Sequence, residues 1–341
     1  MSQKVLYNKR SKSFLINRIK NETFKRINCS FYKYVEIKTP QQFRDELYGK
    51  WRDLKILGRT YVAKEGINSQ ISIPEHNWNL FIETINKAQL SNIEYKIGIN
   101  NKTSFLKLII KVKKQIVADG IEKKFDTSNV GTRLSPIEFN DAIDDKNSIV
   151  IDVRNHYESE VGHFKNAIRP DVDTFKESLP VIKNILKGKE NNKILLYCTG
   201  GIRCEKTSAY LKHHNYIDVN QLDGGIINYY HQIKKYGIKS KFKGKNFVFD
   251  NRLGERITDD IISVCHQCYQ PSDTHTNCAN QACHILFIQC KKCEKKMNGC
   301  CNENCLKISN LPISKQKQIA KITKPKKRLK PRIGDLNNNI I

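Results

Sequence analysis

No stretch of the 341-residue chain approaches the roughly eighteen unbroken apolar residues that a membrane span requires. The N-terminus is basic but has no apolar core ahead of a small-residue cleavage site, so no secretory signal is read. A soluble, cytoplasmic protein without a membrane partner is therefore expected. Acidic residues are also scarce: 34 Asp and Glu face 60 Lys and Arg, a formal net charge of +26. A surplus of that size favours a polyanionic partner through counterion release, and nucleic acid is the first candidate. Part of it can reflect the Lys-, Asn- and Ile-rich composition that A- and T-rich coding produces. Missing too are a flavin or nicotinamide fingerprint and a recognisable facial triad for iron, so no resident redox cofactor is read.

What is present begins with enough apolar residues, 39% of 341, to build two or three cored units. Residues 1–27 are basic and weakly patterned and read as a loosely ordered arm. Ser30 to Ile37 is rich in aromatic and β-branched residues, as a strand requires. Thr39-Pro40 opens a helix reaching about Lys50, with Pro in the first turn, where its missing N–H costs nothing. Arg59–Ala63 and Gln70–Ile73 read as strands around Lys64-Glu65-Gly66-Ile67-Asn68, which can be a binding turn but reads more simply as a hairpin connection. A helix from about His76 to Lys87 follows, and Lys102–Val117 alternates as a final strand or strand pair. The order β-α-β-β-α-β over residues 28–125 is the ferredoxin-like split arrangement, shared by too many modules to fix a function.

Residues 125–133 are polar and read as a linker. Ser135-Pro136-Ile137-Glu138 then has the form of a capped helix start. Ser148–Val153 and Lys193–Tyr197 are short apolar strands of the kind buried on both faces, the second ending at Cys198. Cys204–His213 reads as helix and Val219–Leu222 as a further strand before Asp223-Gly224-Gly225. This alternation over residues 126–250 implies an open parallel sheet with its chemistry at the carboxyl ends of the strands.

The loop Cys198-Thr199-Gly200-Gly201-Ile202-Arg203 is where that chemistry is expected. A thiol is a poor nucleophile until it ionises, and burial alone opposes ionisation. Here adjacent glycines can turn backbone N–H groups inward as an anion-holding nest, and the following helix adds its positive end. Arg203 contributes a permanent charge and planar donors. Together these can bring the thiol into the pKa range of about 3.5–7.5 of activated cysteines, and can hold a persulfide equally well. The loop leaves four residues between Cys198 and Arg203, one fewer than the phosphatase loops that wrap a tetrahedral phosphate, so phosphatase chemistry is disfavoured. The glycines, the arginine and the sheet context favour function over a buried structural thiol. Cys204 can resolve a persulfide or disulfide, but reads more simply as a small buried helix residue. Asp152 and Arg154, at a strand end, can orient the loop, although an internal salt bridge is the stronger reading. Glu158 and His163 read as structural.

Nine of the twelve cysteines fall between Cys265 and Cys305. Without a secretory signal, such clustering favours metal ligation over a disulfide framework. Cys265-His266-Gln267-Cys268 and Cys290-Lys291-Lys292-Cys293 are two C-x-x-C pairs separated by twenty-one residues, close to the spacing of a four-cysteine zinc ribbon. Cys278, Cys283, Cys300, Cys301 and Cys305 leave material for a second site, with His275 or His284 available. Metal is preferred to free or exchanging thiols, and zinc to an iron–sulfur cluster, whose spacing is not evident. A metal would supply folding energy to residues 251–308, which lack a core of their own. The basic tail, 309–341, carries nine Lys or Arg and no acid between Lys315 and Arg332; it is expected to be disordered alone and able to lie along a phosphate backbone.

Asp152-Val153-Arg154, the run His156–Ile168, the Cys198 loop and Asp223-Gly224-Gly225 resemble the rhodanese domain. More narrowly, Ala63–Asn68, Ile116–Gly120, Cys198–Lys206 and Gly244–Asp250 resemble the bacterial tRNA uridine(34) hydroxylases over roughly residues 28–306. Lys64, where His is frequent, and Arg169-Pro170 depart from that pattern. The resemblance implies an α/β protein: a ferredoxin-like α+β N-terminal domain, a rhodanese-like parallel α/β domain at 126–250, and a small Cys-rich C-terminal segment. It implies an oxidoreductase that modifies tRNA, making 5-hydroxyuridine at the wobble position with molecular oxygen as co-substrate and Cys198 as a persulfide-forming cysteine. A rhodanese-type sulfurtransferase needs only the same loop, and a non-catalytic RNA-binding protein would need none of it.

Overall fold

The computed structural model describes residues 10–88, 90, 92–99, 104–121 and 125–322. The chain divides into two compact units. One comprises the residues up to His156 together with Phe164–Lys241 and Val248–Glu255; the other comprises Tyr157–His163, Phe242–Phe247 and the residues from Arg256 onward.

The first unit opens with α1 (Lys12–Lys20), where a loose arm was expected. Ser11 caps it, its hydroxyl accepting from the Phe14 N–H at 3.2 Å, and Leu15 is buried. There follow β1 (Arg26–Tyr34), α2 (Pro40–Asp53), β2 (Leu57–Ala63), β3 (Gly66–Pro74), α3 (Trp78–Lys87), β4 (Lys96–Ile97) and β5 (Leu108–Val112). Among the described residues these strands form one sheet in the order β4-β1-β3-β2-β5. Its first four strands have the ferredoxin-like order. The structure corrects one expectation: the closing strand beside β1 is the two-residue β4, while β5, within the run read as the final strand, lies at the opposite edge, parallel to β2. The core under the sheet is aromatic, with Phe31, Trp51 and Phe81 at mutual ring distances of 5.7–6.4 Å. Burying such rings is the main drive for the layer.

The same unit continues through β6 (Thr132–Leu134), α4 (Pro136–Asp144) and β7 (Ser148–Asp152). Past the short elements α5 (His156–Ser159) and β8 (Gly162–Phe164), most of whose residues belong to the second unit, come α6 (Phe175–Ile185), β9 (Lys193–Tyr197), α7 (Ile202–His213), β10 (Val219–Leu222) and α8 (Gly225–Tyr236). Helix α4 begins with the capping box read from Ser135 and Glu138. β6, β10, β9 and β7 lie in that order and all run parallel. β6 takes up part of the expected linker, because Thr132–Leu134 pairs with Asn220–Leu222. Ile194, Leu195, Leu196 and Tyr197 are wholly buried, as a central parallel strand demands.

In the second unit, β11 (Phe242–Asn246) is held through the Lys245 N–H to Val161 O, 2.8 Å, and the Ile257 N–H to Gly244 O, 3.1 Å. The two-residue strand β12 (Glu255–Arg256) is followed by the hairpin β13 (His275–Asn277) and β14 (Leu286–Ile288), then by α9 (Lys291–Met297), α10 (Glu303–Ser309) and α11 (Ile313–Ile322). α11 falls where a disordered tail was expected. It is tied down by Gln316, 4% exposed, whose amide donates to Ser309 O and Leu311 O and accepts from the Gln281 N–H. The rest of that tail, 323–341, and residues 1–9 of the arm lie outside the described residues. No described helix is long and apolar enough to cross a membrane.

Candidate active site

β9 carries the chain through the sheet and releases it at Cys198, whose side chain is 1% exposed. The loop that follows folds back on its own sulfur. Gly201, at φ 98°, turns its N–H to within 3.1 Å of Cys198 Sγ, in a backbone conformation that side chains rarely adopt. Helix α7 starts immediately afterwards, so its first N–H groups and the positive end of its dipole face the sulfur. From the other side α8 closes the loop: the Ile226 and Ile227 N–H groups donate to the carbonyls of Cys198 and Thr199 at 3.0 and 3.2 Å. A Cβ at Gly225 would stand 2.6 Å from Cys198 O and 2.7 Å from Thr199 O. The Asp223-Gly224-Gly225 string thus has a local cause: only glycine lets α8 approach the loop this closely.

Burial pushes the Cys198 thiol up, yet the donors around it win. A hydrogen bond from the Cys204 thiol, the charge of Arg203 and the N–H groups of Cys204 and Gly201 together bring it down to about 5. Cys204, wholly buried and donating to Cys198, is pushed well above the usual thiol range, first by that burial. The pair is therefore one thiolate held by one thiol. This is more than the small buried helix residue read from the sequence, and only the place of Cys204 in the first turn of the helix that follows the loop could have hinted at it. Arg203 is held by Thr199 Oγ1, 3.3 Å from its Nη2, and stands 5.8 Å from the Phe249 ring centre.

Asp152 and Arg154 form a fully buried, two-pronged pair, Nη2–Oδ2 2.6 Å and Nε–Oδ1 2.9 Å. The Tyr197 hydroxyl donates to Asp152 at 2.7 Å, one residue before Cys198. They brace the end of β9, the salt-bridge role favoured above. His163 Nδ1 lies 2.9 Å from Ser159 O, and Glu158 is buried.

Two further networks were not read from the sequence. Lys206 Nζ, 1% exposed, bridges Glu65 at 3.2 Å and Asp119 at 2.9 Å. Glu65 Oε1 also accepts the Ile116 N–H at 2.7 Å, and Asp119 Oδ1 the Ile121 N–H at 2.9 Å. The turn Lys64-Glu65 is a hairpin connection, as expected, and an anchor besides. The second network runs from the Tyr32 hydroxyl to Glu205, 2.9 Å, and on through Arg133 to Asp223.

Cys198 lines a cavity of about 810 Å³, inside the usual range for small-ligand sites. Its wall mixes cations, among them Arg59, Lys113 and Arg203, with the rings of Tyr32, Tyr61 and Phe249.

The ligands expected from the sequence, Cys265, Cys268, Cys290 and Cys293, converge in the second unit, their sulfurs all within 4.8 Å of one another. Cys268 and Cys290 Sγ are 3.7 Å apart. None of the twelve cysteines is in a disulfide. One tetrahedral ion with zinc–sulfur bonds of about 2.3 Å puts neighbouring sulfurs about 3.8 Å apart, so the four thiols fit zinc.

Three family models match the chain: the UPF0176 acylphosphatase-like domain over residues 26–116, the rhodanese-like domain over 135–232 and the rhodanese C-terminal domain over 243–306. The protein is thus of mixed α/β class, with an acylphosphatase-like domain, a rhodanese-like domain and a Cys-rich C-terminal region. A tRNA uridine(34) hydroxylase of Leptospira interrogans is 51% identical over 98% of this chain and 94% of its own length. Proteins of the same name from Enterobacter sp. and Photorhabdus laumondii are 47% and 46% identical, each over 92% of this chain and over 91% and 90% of their own lengths. On that extent of identity the chain belongs to the tRNA uridine(34) hydroxylase family.

Proposed function

We propose that this protein is a cytoplasmic tRNA-modifying enzyme that converts the wobble uridine, U34, to 5-hydroxyuridine, with molecular oxygen as co-substrate and Cys198 as its reactive group. The observation that carries the reading is a depressed thiol at the wall of a cavity lined by cations and aromatic rings. Bases stack on such rings and phosphates pair with such cations. A wobble base sits in a single-stranded loop, where unstacking it costs little. Gly201, Arg203 and Cys204 serve to hold negative charge on the sulfur, whether thiolate or persulfide, and Asp152 and Arg154 hold the strand that presents it. Tyr32, Tyr61 and Phe249 are the candidate platforms for the base. Zinc bound by Cys265, Cys268, Cys290 and Cys293 would stabilise the C-terminal segment; four thiolates leave no open position for catalysis.

The test is mass spectrometry of tRNA nucleosides from cells lacking the protein, complemented with wild type or Cys198→Ser. 5-Hydroxyuridine derivatives should vanish in the deletion and return with wild type alone. Their persistence alongside loss of a thiolated nucleoside would make the protein a sulfurtransferase. No change in either would leave a binding module.

A further inference from the structure

A second group of cysteines in the C-terminal segment converges as closely as the first. Cys278, Cys283, Cys301 and Cys305 place their sulfurs within 4.8 Å of one another. Cys283 and Cys301 Sγ are 3.8 Å apart, and Cys301 and Cys305 Sγ 3.5 Å. A disulfide needs about 2.05 Å, whereas the edge of a zinc tetrathiolate is about 3.8 Å. An iron–sulfur cluster distributes four thiolates over two or more irons, so its four sulfurs cannot all lie within 4.8 Å of one another as these do. The observed separations match four thiolates around one ion.

The local fold explains the convergence. Cys278 and Cys283 sit in the turn between β13 and β14, where the Cys278 N–H donates to Ile285 O at 2.8 Å and the Cys283 N–H to Asn280 O at 3.0 Å. Cys301 and Cys305 straddle the start of α10, one helical turn apart, with Asn302 as the cap accepting the Cys305 N–H at 2.9 Å. Donors already face the sulfurs: the Cys301 N–H lies 3.5 Å from Cys278 Sγ, and Asn302 Nδ2 lies 3.5 Å from Cys301 Sγ. Such outer bonds are what hold thiolate ligands in place around a metal. The other candidates for this site fall away. Cys300 Sγ is turned to Ser309 Oγ at 3.3 Å, and the His275 ring packs edge-on to Phe247 at 5.0 Å. Neither they nor His284 belong to the convergent group.

The order of the ligands along the chain adds a consequence. Pairs 265/268 and 290/293 serve one group, and pairs 278/283 and 301/305 serve the other. The pairs alternate, so the loop closed by each ion contains a ligand pair of its neighbour. We propose that residues 265–305 form an interleaved module of two structural zinc ions, the second held by Cys278, Cys283, Cys301 and Cys305. Both sites are closed by four thiolates and neither takes a substrate. The small apolar cluster of Ile285, Phe287 and Leu306 around the second group is too slight to hold these segments alone. Interleaving makes the two ions mutually dependent, because loss of either loosens a loop that positions ligands of the other.

The proposal stands apart from the hydroxylase reading and is tested without activity. The full chain is purified without added metal, and zinc and iron per chain are measured by elemental analysis and by native mass spectrometry. Wild type and the control Cys300→Ser should each carry two zinc ions. Cys305→Ser should lose the second ion and release the first to a chelator at least tenfold faster than wild type does. Cys293→Ser should do the reverse. If a variant does not fold, the cobalt-exchanged wild type decides: its sulfur-to-cobalt absorption per chain should be twice that of a single tetrathiolate. One zinc per chain in wild type, iron in place of zinc, or a Cys301–Cys305 disulfide in the native protein would overturn the assignment. Release of the first ion at an unchanged rate in Cys305→Ser would overturn the interleaving.

Discussion

The ionisation of Cys198 gives the most direct test of the site. Its thiol stands at about 5, against 9.0 for an ordinary cysteine on the same scale. At pH 7 such a group is about 99% thiolate, whereas a free cysteine of pKa about 8.5 is about 3%. Cys198 is 1% exposed but lines the cavity, so a small alkylating agent is the suitable probe. The rate of Cys198 alkylation by iodoacetamide, followed by mass spectrometry of its peptide, should be flat from pH 8 to 6.5 and fall to half at about pH 5. Cys204 supplies the first of the contributions that lower the pKa. A hydrogen bond to a charged group is worth about 1.5–3 kcal/mol, or one to two pKa units, so Cys204→Ala should move the midpoint up by that amount. Arg203→Met should move it the same way.

Folding stability should follow with a definite sign. A thiol depressed in the folded state contributes stability that is complete above the unfolded pKa and lost as pH falls through the folded one. The stability of wild type relative to Cys198→Ala should therefore grow from about pH 5 to about pH 9. An alkylation rate that keeps climbing through pH 8 to 9, as for a free thiol, would refute the account of the loop.

Two other perturbations probe the supports of the site. Lys206→Met leaves Asp119, whose side chain is 3% exposed, and Glu65 without the cation that bridges them; breaking a buried ion pair from one side costs about 3–5 kcal/mol, so thermal scans should show Tm lower by on the order of 10 °C. An unchanged Tm would mean the bridge is dispensable. Gly225→Ala forces a Cβ to within 2.6–2.7 Å of two loop carbonyls at φ 67°, so it should displace the Cys198 loop and cut 5-hydroxyuridine formation at least tenfold, as read by nucleoside mass spectrometry; full activity would show that the loop has room to yield.

The sequence discloses the Cys198 loop because everything that makes the thiol acidic lies within six residues of it. A buried strand, two glycines, an arginine and a helix start follow one another, and each has a local signature. The zinc-ribbon spacing of 265, 268, 290 and 293 is local in the same sense. What stays hidden depends on partners far along the chain. β4 has two residues, too short to show a period, so the longer alternating run around Leu108–Val112 attracted the assignment of the closing strand. Which edge of a sheet a strand joins is decided by pairing, and pairing leaves no mark on the strand's own residues. The helix at Ile313–Ile322 was missed for a related reason: its buried residue is Gln316, a polar side chain held by hydrogen bonds that no hydropathy pattern reports.

The Lys206 bridge shows how distant strings come to form one site. Three of the strings that marked the family resemblance, Ala63–Asn68, Ile116–Gly120 and Cys198–Lys206, each contribute one charged member to it: Glu65, Asp119 and Lys206. None of the three has a local reason to be charged, and two of them, Asp119 and Lys206, are buried. An exposed turn tolerates any acid at Glu65, and a helix interior would prefer an apolar residue to lysine at 1% exposure. The burial is accounted for once the lysine is seen to tie the acylphosphatase-like sheet and the segment beyond it to the helix that begins at the reactive loop. That segment, 115–118, lines the same cavity as Cys198. A misplacement of about 1 Å at such a wall can cost a hundredfold in rate. On the proposed reading the bridge therefore fixes where the base stands relative to the sulfur, while Gly201, Arg203 and Cys204 fix the charge on the sulfur.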